Sequence, residues 1–154
     1  NIIFWNYQGD RLQKFLIDFQ KGFNGWKDIH KSVISFNIKK LQSIIKSLDV
    51  HIANKIPINN KNYRMVSVFA DSCINEVADH IIKNYKSDIG FVINLESKKV
   101  SIRKSKNCDV HLGNLAKSLF DSGGGHEDAA GGILNDKFLT LSKLFQPLKL
   151  KIGS

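Results

Sequence analysis

The sequence predicts an α/β fold: a mixed β-sheet of four to five strands flanked by helices and preceded by a helical connector. Three observations carry this expectation. From about residue 64 onward, short apolar runs with strand character alternate with apolar stripes at helical spacing, the pattern of helices packed on a sheet. Before about residue 55 the apolar residues recur at helical spacing alone. Pro57 and the polar run Asn59-Asn60-Lys61-Asn62 lie between the two regions and mark the main boundary. Residues 1–60 are therefore expected to be a connector or the edge of another domain, and residues 61–152 a domain of their own.

In the first region Leu12, Phe15, Leu16 and Phe19 give residues 10–21 one apolar helical face, which Gly22 and Gly25 end. A longer helix is expected from about Asn37 to Asn54 on the stripe Ile38, Leu41, Ile45, Leu48 and Ile52. In the second region Arg64–Ala70 reads as a buried strand. Asp71 or Ser72 is placed to cap the helix that follows, whose stripe is Ile74, Val77, Ala78, Ile81, Ile82 and Tyr85. Ile89–Leu95 and Lys99–Lys104 form a hairpin around the tight turn Glu96-Ser97-Lys98. His111–Asp121 is a helix that leads into a glycine loop, Ile133-Leu134 a short strand, and Leu139–Phe145 a last helix stopped by Pro147.

Composition narrows the function classes. At 42% hydrophobic residues the 154-residue chain can bury a proper core, and no run approaches the ~18 apolar residues of a membrane span. No secretory signal is visible, and the first residue is not Met, so the chain is expected to be a piece of something longer. Cys73 and Cys108 read as two reduced thiols of a cytoplasmic protein. The formal charge of +9 favours polyanionic partners, although all but three of the 23 basic residues are lysines spread along the chain.

The most informative stretch is Ser122-Gly123-Gly124-Gly125-His126-Glu127-Asp128-Ala129-Ala130-Gly131-Gly132. Three glycines clear side chains from a place where something approaches the backbone, and they suit a concave nest of N–H groups for an anion. His126 adds a ring donor, and Ala129, Ala130 and Gly131 keep the next turn small. A helix cap followed by a surface turn is the plainer alternative. The stretch lacks the Lys-Ser/Thr ending of a P-loop and the spacing of a dinucleotide fingerprint, and no G-x-S-x-G elbow occurs. On the strand before it, alternation puts Val100 and Ile102 on one side and Ser101 and Arg103 on the other, with Ser105 two residues on. A guanidinium held by a rigid strand suits bidentate recognition of phosphate or stacking on a base, the alternative being a solvated arginine. Asp79-His80 reads as helix surface, and His30, His51 and His111 are isolated. The acidic residues are scattered singly, so no two-metal hydrolytic centre can be assembled from them.

Val100-Ser101-Ile102-Arg103-Lys104-Ser105, followed by Asp109-Val110, Leu115-Ala116 and the Gly123–Gly131 block, resembles the C-terminal DHH-associated domain of DHH-family phosphoesterases over about residues 63–146. The family pattern is a strand near V-S-x-R-S, a D-V…A helix, and GGGH-x-x-AAG. This chain departs from it at Lys104, inserted before Ser105, and at Asp121-Ser122, where further glycine is usual. The resemblance implies the C-terminal, substrate-binding part of a manganese-dependent phosphodiesterase, an exonuclease or oligoribonuclease. The implied substrates are short oligonucleotides, single-stranded nucleic acid, nucleoside bisphosphates or cyclic dinucleotides. The Asp/His ligands of the manganese pair belong to an N-terminal catalytic domain, of which residues 1–60 would be the trailing edge. Arg103, Ser105, Gly123, Gly124, Gly125 and His126 are then substrate contacts, with no catalytic residue or metal ligand in this segment. A related domain ends alanyl-tRNA synthetases, so a non-catalytic nucleic-acid-binding module is the alternative.

Overall fold

The computed structural model describes residues 2–120 and 122–134, so the helix expected at Leu139–Phe145 lies outside the described residues. The chain divides into two compact units, residues 1–46 and residues 47–154. The first carries α1 (Ile2–Trp5), α2 (Arg11–Phe19) and α3 (Asp28–Ser47). Asp10 caps α2, its carboxylate accepting the Gln13 N–H at 3.1 Å. The rings of Phe4, Phe15, Phe19, Phe23 and Trp26 meet edge-on, tilted or stacked around His30. Leu12 and Leu16, read as part of the apolar face of α2, are more than half exposed.

The second unit is organised by a sheet. Its strands are β1 (Val50–Ile58), β2 (Lys61–Phe69), β3 (Ile89–Asn94), β4 (Lys99–Lys104), β5 (Gly124–Gly125) and β6 (Ala129–Ile133). Their order is β1-β2-β3-β4-β6-β5. β2 and β3 run parallel, joined through α4 (Ile74–Tyr85), and the other neighbours are antiparallel. The expected mixed α/β sheet is present, with six strands where four to five were expected.

Residues paired across strands point to the same side, so the register sorts the core into two layers. Met65, Phe91, Ile93, Val100, Ile102 and Ala130 face α5 (Leu112–Leu119), packing with Leu112, Ala116 and Phe120. Val66, Val68 and Val92 point the other way, where Val77, Ala78 and Ile81 of α4 are fully buried as well. Burying each of the Val, Leu, Ile, Met and Phe side chains among these contributes about 1.5–3 kcal/mol.

Three local expectations are corrected. The helix expected to reach Asn54 ends at Ser47, and residues 50–58 form β1 instead. Val50, Ile52, Ile56 and Ile58 are β-branched and suit a strand. Asn59 and Asn60, at φ 48° and 64°, make a two-residue hairpin turn into β2. What read as a boundary loop is thus the tip of a hairpin. Neither Asp71 nor Ser72 caps α4: Ser72 Oγ donates to Asp71 Oδ1 at 2.8 Å, and Cys73 occupies the cap position at φ 53° without a side-chain cap bond. Finally, Ala129–Ile133 is a sheet strand rather than a compact turn followed by a short strand. Alanine and glycine are poor strand formers in isolation, but here the chain runs close to its neighbours. A Cβ on Gly132 would lie 2.6 Å from the Phe120 ring, and one on Gly131 would strike the Val100 carbonyl oxygen.

A glycine hairpin beside a strand arginine

Arg103 stands on β4 between Gly90 of β3 and Ala129 of β6. As alternation requires, Val100 and Ile102 are buried while Ser101 and Arg103 occupy the opposite face, partly exposed. The guanidinium is held from the first turn of α4: Nη2 donates to Asn75 Oδ1 at 2.8 Å, and Nη1 to the Ile102 carbonyl at 3.1 Å. Asn75 was not legible as a partner, because nothing in the sequence shows which turn of α4 crosses Arg103.

The glycine stretch folds as the hairpin β5–β6. Ser101 pairs with Gly131, and Gly131 with Gly124, so these three share the face that carries Arg103. One row along, Arg103 pairs with Ala129, whose carbonyl accepts the His126 N–H at 2.8 Å. The three consecutive glycines do different jobs. Gly123 lies against the end of α5, where a Cβ would collide with the Ala116 carbonyl. Gly125 adopts φ +143°, and a Cβ there would sit 2.5 Å from Ala129 O and from Ala130 Cα. Gly124 alone has nothing within 4 Å of a built Cβ. Two of the four N–H groups that the sequence suggests as a nest are engaged within the chain, that of Gly123 with Phe120 O and that of His126 with Ala129 O, while Gly124 and Gly125 form β5 beside β6. The carbonyls of His126 and Glu127 in turn accept the Gly113 and Leu112 N–H groups, capping α5.

The expected site residues fall around two depressions. Gly123 and Gly124, with Gly131, Gly132, Lys99 and Ser122, line a shallow groove of about 450 Å³. Arg103 and Ser105 line a larger cleft of about 650 Å³ at the other side, together with Lys83, Lys86, Ser87 and Lys106. Gly125 and His126 line neither, and the His126 side chain is exposed. The Ser105 backbone N–H donates to Asp88 O at 2.8 Å, which ties the end of β4 to the start of β3.

Lys104, the departure from the family pattern, has a side chain only 5% exposed. Its ammonium donates to Val110 O at 3.1 Å and sits 3.2 Å from both Glu127 and Asp128. Burial pulls its pKa down, but the two carboxylates more than offset this and hold it above its ordinary value. Lys104 thereby clamps the turn that carries His126 to the strand that carries Arg103. The signal was available: in β4, Lys104 alternates with Val100 and Ile102 on the buried side, where a cation needs acidic partners. A second clamp links β2 to the approach to α5. Tyr63 Oη donates to Asp109 Oδ1 at 2.6 Å, and Lys61 pairs with the other oxygen. Lys61 and Tyr63 hold the Asp109 carboxyl down to about 2, and Asp109 pushes the Tyr63 hydroxyl up to about 12.

In the first unit His30, read as isolated, is buried in a polar triad. Its Nδ1 accepts the Lys27 backbone N–H at 3.3 Å, which leaves the proton on Nε2, 2.9 Å from Tyr7 Oη. Tyr7 donates in turn to Asp18 at 2.5 Å. Burial first, then Asp18, pushes the Tyr7 hydroxyl up to about 12. Among the described residues no group of three His, Cys, Asp or Glu side chains could hold a metal ion.

No curated protein matches the chain. Among solved structures it is similar to an uncharacterized protein from Helicobacter pylori G27, at 19% identity over 88% of this chain and 38% of that one, with a TM-score of 0.44. It is also similar to an exopolyphosphatase-related protein from Bacteroides fragilis, at 14% identity over 92% and 44%, with a TM-score of 0.46. The chain spans less than half the length of either. The family model of the DHHA1 domain matches residues 63–147, more than half of the chain, a span that takes in Arg103, Ser105 and the whole glycine hairpin. This chain belongs to the DHHA1 domain family.

Proposed function

We propose that this domain is the substrate-binding part of a manganese-dependent DHH-family phosphodiesterase, and that it receives a phosphate or base of a short oligonucleotide or of single-stranded nucleic acid. The observation that carries the reading is the register of β4, β6 and β5, which sets Arg103 beside a backbone-floored surface at Gly124 and Gly131. On such a surface a flat base or a phosphate can approach the main chain, while the guanidinium supplies a planar, bidentate donor. Arg103, Ser105, Gly123, Gly124, Gly125 and His126 are the proposed substrate-binding set, of which Gly123 and Gly125 act by shaping the hairpin. The manganese pair belongs, in this proposal, to a catalytic domain that partners this one, and no step of the reaction is assigned to residues of this chain. The proposed setting is cytoplasmic; among the described residues no helix is long and apolar enough to cross a membrane.

The test is titration of the chain with a 5′-phosphorylated dinucleotide, followed by NMR shifts or calorimetry. Charge-assisted hydrogen bonds contribute roughly 1.5–3 kcal/mol, so Arg103→Ala is expected to weaken binding about tenfold or more. Equal affinity of wild type and Arg103→Ala, or shifts clustered away from residues 101–103 and 122–131, overturns the reading.

A further inference from the structure

The larger of the two depressions has a composition that the proposed phosphate or base contact does not account for. It opens between the C-terminal end of α4, the start of β3 and the turn after β4, and five basic residues line it against two acidic ones. Three of the five, Lys83, Lys86 and Lys106, are exposed, and among the described residues no carboxylate pairs with them. Of the two acids, Asp88 is already engaged, accepting the Arg64 backbone N–H at 2.7 Å. Lys83 and Lys86 complement the C-terminal dipole of α4, but that does not explain Lys106, which comes from a different element. Ser87, on the wall of the same cleft, is 2% exposed, and its hydroxyl has no hydrogen-bond partner among the described residues. A buried hydroxyl left unpaired costs stability, and an anionic oxygen in the cleft is a partner of the right chemistry.

Arg103 connects this cleft to the glycine hairpin, since it lines the one and pairs across the sheet with the strand that floors the other. We propose that the cleft is a second phosphate subsite that takes the continuing phosphodiester backbone of an oligonucleotide whose first unit lies at Arg103 and Gly124. This inference rests on the substrate-binding reading above and specifies its ligand as a chain several nucleotides long. The lysines neutralise successive phosphates without reading sequence, so affinity through the cleft is salt-dependent and base-independent.

The experiment compares a 5′-phosphorylated dinucleotide with a 5′-phosphorylated single-stranded octanucleotide, by fluorescence anisotropy across a range of salt concentrations. Three proteins are needed: the chain itself, the combined variant Lys83→Gln, Lys86→Gln and Lys106→Gln, and a control with Lys39→Gln, Lys40→Gln and Lys46→Gln on α3. Each lysine–phosphate contact on a single strand contributes about 0.7 to the log–log salt slope, so the cleft variant is expected to lower the octanucleotide slope by about 2. Its affinity for the dinucleotide is expected to stay within about twofold, and the α3 control to change the slope by well under half as much. An unchanged octanucleotide slope in the cleft variant overturns the inference, as does an equal drop in the control. Competition by inorganic polyphosphate as effective as by the octanucleotide overturns the assignment to a nucleic-acid backbone. If Arg103→Ala leaves both probes unaffected, the underlying site reading has failed; if it weakens both while the cleft variant weakens neither, only the second subsite has failed.

Discussion

The two depressions on either side of Arg103 are built from opposite materials. The groove at Gly123, Gly124, Gly131 and Gly132 is largely backbone, and its shape depends on side chains being absent where chain meets chain. The cleft at Lys83, Lys86 and Lys106 is made of long, solvated side chains around a small polar wall. In the first, a methyl group added at Gly123 or Gly131 meets a carbonyl and one at Gly132 meets the Phe120 ring, while Gly124 is open. In the second, any one charge can be removed and its neighbours remain. Substitutions in the groove are thus expected to be abrupt and specific to position, and those in the cleft graded and sensitive to salt.

The largest expected effect compares two neighbouring glycines of the hairpin, Gly125, which lines neither depression, and Gly124, which lines the groove. Gly125→Ala combines a backbone angle of φ +143° with a Cβ 2.5 Å from Ala129 O, and is expected to cost about 3–5 kcal/mol from strain and overpacking together. Gly124→Ala, next to it, adds a Cβ into open space and is expected to stay within about 0.5 kcal/mol. Urea denaturation of the two variants measures both, and similar losses would break the distinction between a shaping glycine and an open one.

An intermediate effect concerns the clamp that holds the hairpin in place. Lys104→Met removes the ammonium from Val110 O, Glu127 and Asp128 but retains much of the aliphatic stem. Both carboxylates are well exposed and remain solvated, so the loss is expected at about 1–2 kcal/mol. The backbone NMR signals of residues 126–128 should shift in the same variant. A stable protein with unmoved signals at that turn would show that the hairpin keeps its place without Lys104.

The smallest effect is a control far from both depressions in chemistry, at Asp109. Its carboxyl is held below its usual 3.8, to about 2, by Lys61 and Tyr63. A depressed folded-state value contributes stability above the unfolded value, and that contribution fades as pH falls through the folded one. Asp109→Asn is therefore expected to flatten the loss of thermal stability between about pH 4 and pH 2, while leaving nucleotide affinity at neutral pH unchanged. An identical acid profile in wild type and variant would remove Asp109 from the acid response.

Much of the fold was legible from local pattern. The hairpin of β3 and β4 and helices α4 and α5 lie within a residue or two of their expected limits, because alternation and helical spacing are properties of the nearest neighbours in sequence. Arg103 could be assigned to the polar face of its strand on the same ground. The strand β1 was not legible: Ile45, Leu48 and Ile52 continue a helical stripe, and pairing with β2 through Asn59-Asn60 overrides it. The separate duties of the three glycines were hidden as well, since Gly123 answers to Ala116, Gly125 to Ala129 and Ala130, and Gly124 to nothing nearby.

By itself, then, the sequence determined the alternation of elements, the side of β4 on which Arg103 stands, and the motif that marks the DHHA1 domain. Only the tertiary structure decided that Asn75 holds the guanidinium, that Glu127 and Asp128 answer Lys104, and that three scattered lysines share one cleft. The reason is the range of the interactions. Periodicity is written between residues one to four apart, whereas the Arg103–Asn75 and Lys104–Glu127 contacts join residues 28 and 23 positions apart, whose meeting depends on how the sheet is ordered.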